Sequence, residues 1–501
     1  MTVHANTAAE LLHQNREAHP QKAAYLCGED VLTHQALAVE AARFANLLRA
    51  RGVGPGDRVV LALPDSFGSV KAFLGAMLLS ACPVPVHAAL PREDVAFILM
   101  DSGASALIAP EDSPAMQAAR DVSGLACVLP CSLGGPWGLG DFSGGFAAAP
   151  PSPDAPGFML YSSGSTGRPK GVPHAQADLL EPARGWGGGV LGIRERDVFF
   201  SASKMSFAYG LISSVGLPLS VGATAALLPG KPGPAELFAA ITRYRPTLFF
   251  CVPTLYAMLL RSYCPAQGDD LSSLRLCLSA GEALPEGLCR QWALQTGVEL
   301  LDSMGSTEAF NLFLSNRPSQ VRCGSSGQLV PGWEARLVDE AGADVPDGVP
   351  GDLRARGAGT CPAYWNRPDK TAESMLPGGW LRTGDMYVRE SGFYFHRGRS
   401  DDMLKVGAHF VSPVQVEEAL REHPAVLECA VAAMLVDGLV RPCAHVVPAA
   451  GAEPGTRLAA ELLRFARERL EPQQCPVRVL FVDELPRTST GKVQRFRLRQ
   501  L

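Results

Sequence analysis

Residues 157–171 read GFMLYSSGSTGRPKG, and the fold turns on how this stretch is read. Its apolar start, ending at Tyr161, has strand character. The run that follows is glycine, serine and threonine, closed by Lys170. On composition alone such a run is a flexible linker. Its position argues otherwise, because PHAQADLLEPARGW, residues 173–186, is expected to form a helix directly after it. A Gly/Ser loop between a strand and a helix can wrap a phosphate: glycines let backbone N–H groups close in, hydroxyls add donors and a lysine adds positive charge. It is not the P-loop pattern, since Gly171 rather than Ser or Thr follows Lys170.

Working outward, strands and helices alternate. DRVVLALP (57–64) reads as a buried strand, and the next segment carries Val70, Phe73, Leu74, Met77 and Leu78 at helical spacing. CPVPVH (82–87), SALIA (105–109), RPTLFFCVP (245–253) and SLRLCLSAG (273–281) are further strands. This is the pattern of βαβ units around a largely parallel sheet. The Gly/Pro/Ala-rich residues 134–156 read as a surface connection. The texture changes near Gly398. SPVQVEEALREHP (412–424) is a helix with a serine cap and a proline in its first turn. VLECAVAAML, RPCAHVVP and VRVLFVDELP are strands and TRLAAELLRFARERL is a helix. The expectation is an α/β protein with a large N-terminal domain, 1–400, and a small α+β C-terminal domain, 401–501.

Bulk properties exclude several classes. A chain of 501 residues is long enough for more than one domain. With 19% charged and 47% hydrophobic residues it resembles an ordinary soluble globular protein. A net charge of −5 gives no electrostatic reason to bind nucleic acid. The 13 cysteines are odd in number and contain no CxxC pair, which predicts reduced thiols in a cytoplasmic protein. MTVHANTAAELLHQN has no basic start and no apolar run, so no signal peptide is expected, and no stretch is apolar enough for a membrane span.

Further motifs follow the Gly/Ser loop: DSMGSTE (302–308), GDLRARG (351–357), GWLRTGDMYVRESGFYFHRGRSDDMLK (379–405) and PRTSTGKVQR (486–495). In this order, and over almost the whole chain, they resemble the acyl- and aryl-adenylate-forming enzymes, the AMP-dependent synthetase and ligase family. The resemblance implies a reaction in two halves. A carboxylate attacks the α-phosphate of ATP to give an acyl-adenylate and pyrophosphate, and a thiol then displaces AMP. The first half brings two anions together, so positive charge is needed, and Mg²⁺ is implied as cofactor.

By the same resemblance Lys492 is the catalytic lysine, bridging carboxylate and α-phosphate. Ser162, Ser163, Gly164, Ser165, Thr166, Gly167 and Lys170 form the phosphate loop. Gly281 and Glu282, with Asp302, Ser303, Met304, Gly305 and Ser306, line the nucleotide. Thr307 lies near the α-phosphate and Glu308 is the Mg²⁺ ligand, both counted as catalytic. Asp385 and Arg399 reach the ribose. Asp401 is the hinge of a mobile small domain, which turns between the half-reactions. Gly407 and Ala408 border the CoA tunnel, where the family normally has glycine at the position of Ala408. Taken singly, each has a plainer reading: a surface lysine, a helix cap at Ser306–Glu308, a salt bridge at Asp385.

The substrate is read from FFSASKMSFAYGLISS, residues 199–214, which contains no acid to pair an amino-acid ammonium. Phe207 and Tyr209 suit a flat ring. This segment and its neighbours resemble the benzoate- and anthranilate-CoA ligases, which implies an acyl pocket of Phe207, Ala208, Tyr209, Ala280, Gly305, Asn311 and Leu312, with Ser303 and Met304 beside it. Those ligases usually carry histidine where this chain has Asn311. The expected partners are an aromatic acid, ATP and CoA. A carrier-protein thiol is the alternative acceptor, a non-catalytic nucleotide-binding module the remote one. Neither nucleic acid nor membrane is expected, and either a monomer or a homodimer fits.

Overall fold

The computed structural model describes residues 6–131, 137–152, 155–162, 168–406, 409–436, 439–487 and 493–498. They form two units, one from Met1–Glu334 with Ala355–Leu381, the other from Ala335–Arg354 with Arg382–Leu501. By packing, residues 335–354 and 382–400 therefore group with the C-terminal part. The domain boundary expected at 400/401 from the change in sequence texture, and the movement expected there, are taken up under Proposed function.

The first unit is built on two sheets. In the larger, Ala23–Cys27, Thr224–Ala226, Val198–Ser201, Leu248–Cys251, Leu276–Ser279 and Leu300–Ser306 run parallel in that spatial order. Antiparallel strands close both edges, Asp30–Thr33 on one side and Asn311–Ser315 with Gln328–Leu329 on the other. Phe199, Phe200, Phe249 and Phe250 sit side by side on the central strands, all 0% exposed. Each stabilises the sheet by about 1.5–3 kcal/mol through burial. The smaller sheet is wholly parallel: Cys82–Pro85, Arg58–Leu61, Ala104–Pro110, Cys127–Cys131. The α/β, largely parallel expectation is what is found.

Helix Phe67–Leu78 follows strand Arg58–Leu61, as its apolar spacing predicts. Ser66 caps it, accepting the Ser69 N–H. Val70, Phe73, Leu74 and Met77 are fully buried, and a Cβ on Gly75 would lie 2.8 Å from the Ala41 carbonyl. Only glycine permits that helix–helix approach.

The second unit contains an antiparallel pair, Val426–Val436 and Leu439–Pro448, extended in parallel by Arg478–Phe481. Helices Pro413–Arg421 and Thr456–Arg467 pack on it around Val416, Leu420, Val431, Val446 and Leu462. Ser412 caps the first helix and Pro413 opens it.

Two expectations are corrected. No α-helix follows the Gly/Ser loop. Lys170–His174 is a strand that pairs antiparallel with Phe158–Ser162, Ser162 opposite Lys170. Val172 is fully buried on this hairpin, and the chain goes on into a 3-10 turn, Gln176–Leu180, and a π-helical run, Ala183–Leu191. Pro182 and Gly187–Gly189 disfavour a regular helix there. The loop thus belongs to a hairpin, and no helix N-terminus stands behind it. Second, the thiols are not all reduced: Cys289, on helix Glu286–Thr296, is bonded to Cys323. The partners are 34 residues apart, so no local spacing signals the pair. No helix among the described residues is long and apolar enough to cross a membrane.

Candidate active site

Successive parallel strands end at Ser279 and Ser306, and the expected nucleotide residues lie at or just beyond those carboxyl ends. Open parallel sheets place ligands at this edge. After the first strand come Ala280, buried, and Gly281, whose φ of +90° suits glycine. Glu282 follows, its Oε2 accepting the Thr254 hydroxyl at 2.7 Å and the Thr254 N–H at 3.3 Å.

The second strand turns back as a hairpin into Asn311–Ser315. At Gly305 a Cβ would lie 2.1 Å from the Asn311 carbonyl, so the hairpin closes only with glycine there. Ser306 Oγ accepts the Ala309 N–H at 3.1 Å and shapes the turn that holds Thr307 and Glu308. The Thr307 carbonyl accepts a hydrogen bond from His174 Nε2 at 2.9 Å. The His174 ring is buried between Phe158 and Phe310. The hairpin of Phe158–Ser162 and Lys170–His174 and the Thr307–Glu308 turn are thereby fastened together.

Glu308 is held on two sides. Its carbonyl accepts the Cys361 N–H at 2.7 Å, and its Oε1 accepts the Tyr364 hydroxyl at 2.8 Å. Glu308 Oε2 has no hydrogen-bond partner among the described residues. Lys170 Nζ lies 4.2 Å from the centroid of the same Tyr364 ring. Burial, then the neighbouring Glu308 charge, raise the Tyr364 phenol well above its usual range, so it stays a donor. Ser162 Oγ, opposite Lys170, is buried without a hydrogen-bond partner among the described residues. Ser163, Gly164, Ser165, Thr166 and Gly167 lie outside the described residues.

Asp302 is buried, and desolvation pushes its carboxyl up to about 8, although the Ser326 hydroxyl donates to Oδ2 at 3.2 Å. Ser303 Oγ is 2.9 Å from Ser315 Oγ, which accepts Trp186 Nε1–H at 3.0 Å. Trp186 packs 6.4 Å from Tyr209, whose hydroxyl donates to the Leu278 carbonyl at 2.9 Å. The acyl candidates Tyr209 and Ser303 are thus joined through Trp186. Leu312 pairs with Gly305 across the hairpin, Met304 pairs with Leu314, and Asn311 is 3% exposed. Asn311 Oδ1 accepts the Leu312 N–H at 2.9 Å, and its Nδ2 has no partner among the described residues. Phe207, just before Ala208, stacks on His87 with centroids 5.9 Å apart.

In the second unit Asp385 and Arg399 face each other on strands Trp380–Glu390 and Phe393–Arg399. Arg399 Nη1 donates to Asp385 Oδ2 at 3.1 Å and to the Thr383 carbonyl at 2.9 Å, while His396 Nε2 stands 3.4 Å from Asp385 Oδ1. Asp401 lies in the exposed 3-10 turn Ser400–Asp402. Gly407, Ala408 and Lys492 lie outside the described residues. The chain on either side of 488–492 is anchored. Arg487 bridges to Val493, and the Gln494 N–H donates to the Pro486 carbonyl at 2.8 Å. Arg487 pairs with Glu428 at 2.9 Å. Arg495 forks onto the buried Glu417 at 3.0 and 2.9 Å.

Tyr364, His174, Trp186 and His396 escaped the sequence reading. The bonds that make Tyr364, His174 and Trp186 matter span 56 to 133 residues, whereas His396 stands inside the motif 379–405, 11 residues from Asp385, with nothing in the spacing to single it out. The one available hint was PAYWN, where an aromatic with a polar tip needs a partner if buried.

Residues 12–365 match the AMP-binding enzyme family, and residues 415–492 match the AMP-binding enzyme C-terminal domain. The chain belongs to this family. Benzoate–CoA ligase of Thauera aromatica is 41% identical to it over 506 residues, covering 99% of this chain and 95% of that protein. Two solved structures are also similar. A benzoate CoA ligase from Burkholderia xenovorans LB400 has a TM-score of 0.91 at 40% identity, covering 99% of this chain and 100% of the other. An anthranilate CoA ligase in complex with anthranoyl-AMP has a TM-score of 0.93 at 36% identity, covering 100% and 98%. The fold is that of the adenylate-forming enzymes.

Proposed function

We propose that this chain is an AMP-forming aryl-CoA ligase. It would activate an aromatic acid of the benzoate or anthranilate type with ATP, release pyrophosphate, and pass the aryl group to CoA with release of AMP. The observation that carries the proposal is the placement of Glu308 and Lys170 on one tyrosine at the carboxyl edge of a parallel sheet. A carboxylate with one oxygen unpartnered among the described residues, sharing a tyrosine with a lysine, suits a metal-bound triphosphate. The benzoate- and anthranilate-specific relatives support the acid class.

Among the described residues no group of three or more His, Cys, Asp or Glu side chains could hold a metal ion. Mg²⁺ needs no such group, because it keeps several waters and takes one or two carboxylates plus substrate phosphates. Glu308, with Oε2 unpartnered, fits that demand. When bound, Mg²⁺ would neutralise charge on the phosphates. Lys170 and the phosphate-loop donors would hold the leaving pyrophosphate. Lys492 would set positive charge between the attacking carboxylate and the α-phosphate. The ribose hydroxyls would bond to Asp385 and Arg399. The small domain would then turn at Asp401, near 400/401, and admit the thiol past Gly407 and Ala408. Such an enzyme, drawing on ATP and CoA, would act in the cytoplasm.

The test is acid-dependent pyrophosphate release, followed by product analysis with CoA and with a carrier protein as thiol. Aryl-CoA formation supports the proposal. Transfer to the carrier protein alone would replace CoA as the acceptor.

A further inference from the structure

We infer that Tyr364 is a positioning residue for the triphosphate end of the site, its hydroxyl presenting Glu308 to the divalent cation and its ring seating Lys170. The inference rests on the proposed roles of Glu308 and Lys170 and adds to them the part that relates one to the other.

Residues 361–365 are stitched between two elements. On one side the Cys361 N–H donates to the Glu308 carbonyl at 2.7 Å. On the other the Trp365 N–H donates to the Gly171 carbonyl at 2.8 Å, one residue from Lys170. Tyr364 stands between these stitches, packed with Val172, Cys361 and Met375 in a small apolar cluster. Its own N–H donates to Thr371 Oγ1 at 3.0 Å, which fixes the backbone from a third direction. The side chain is 6% exposed, so its ring has little freedom to move.

From that fixed ring two contacts leave in different directions. The hydroxyl donates to Glu308 Oε1 at 2.8 Å, within the ordinary range of an O–H···O hydrogen bond. A carboxylate with one oxygen so held cannot spin freely about its terminal torsion, and the other oxygen, Oε2, is the one left for a cation. The ring meets Lys170 Nζ at 4.2 Å, within the range in which the aromatic quadrupole attracts an ammonium. One tyrosine therefore sets the spacing between an anionic metal ligand and a phosphate-binding cation.

The experiment compares Tyr364→Phe, Tyr364→Leu and Glu308→Gln in the full chain. It measures MgATP binding by calorimetry without the acid, the Mg²⁺ dependence of pyrophosphate release, and KM for the aromatic acid. Tyr364→Phe keeps the ring and loses only the hydroxyl. It should weaken MgATP binding and raise the half-saturating Mg²⁺ concentration by about tenfold, the scale of one hydrogen bond to a charged group, with KM for the acid unchanged. Tyr364→Leu should also lose ATP affinity that excess Mg²⁺ does not restore. If Glu308→Gln leaves the Mg²⁺ dependence unmoved, the proposed role of Glu308 falls. If Glu308→Gln shifts it and Tyr364→Phe does not, the inference about Tyr364 falls alone. A Tyr364→Phe protein whose acid KM and Mg²⁺ dependence worsen together, with a lowered melting temperature, would show a merely structural tyrosine and overturn the inference.

Discussion

At Asn311 the side-chain carbonyl is spent on the chain itself, accepting the Leu312 N–H at 2.9 Å. What the residue offers a ligand is chiefly its amide N–H pair. A side-chain amide with both its donor and its acceptor free would read an ortho amino or an ortho hydroxyl substituent alike. With Oδ1 engaged, a ring oxygen is the better match, because an aniline nitrogen accepts poorly. Leaving the donor unpaired costs about 1–3 kcal/mol, so hydroxybenzoates should outcompete benzoate by roughly 5- to 150-fold in kcat/KM. Asn311→Leu should erase that ratio and spare benzoate. Ratios that stay put would make Asn311 structural. Single residues such as Glu308, Asp385 and Arg399 were nominated as candidates by their motifs. Their holders were not: Tyr364 lies 56 positions from Glu308, and nothing in the sequence joins them.

Among elements, the segments flanking residues 488–492 bear most directly on the proposed role of Lys492. Arg495 joins helix Pro413–Arg421 through Glu417, and its Nη1 lies 3.5 Å from Asp402. The Glu417 carboxylate also accepts the Val431 N–H at 2.8 Å and Arg421 at 3.1 Å, so every donor around it is committed. Arg495→Lys keeps the charge and loses the fork. Adenylate formation should fall by about tenfold, the scale of one charge-assisted hydrogen bond, while thiolysis of a supplied aryl-adenylate falls less. Equal losses in the two assays would show that these flanking segments do not act through Lys492. Helix Phe67–Leu78 and the parallel strands could be read in advance because burial dictates their periodicity. The hairpin of Phe158–Ser162 and Lys170–His174 could not. Its pairing of Ser162 with Lys170 is set across the loop, whereas the pattern after Pro173 looks helical. The Cys289–Cys323 link was hidden for the same reason, since proximity in space left no mark on spacing.

For the whole molecule the account requires one site to serve two reactions, with the small domain turning at Asp401. Asp401→Pro would fix the backbone torsion at that point. Pyrophosphate release should stay near normal while aryl-CoA formation is largely lost, and normal turnover through both steps would place the pivot elsewhere. All of this depends on the chain adenylating a flat aromatic acid in the first place. The direct measurement is acid-dependent pyrophosphate release by the wild-type chain and by Lys492→Ala, over benzoate, anthranilate, salicylate, the other hydroxybenzoates, phenylalanine and a medium-chain fatty acid. The account predicts release with benzoate-type acids well above the last two substrates, and its loss by several orders of magnitude in Lys492→Ala. A preference for phenylalanine or the fatty acid over every benzoate, or release that survives Lys492→Ala, would contradict it.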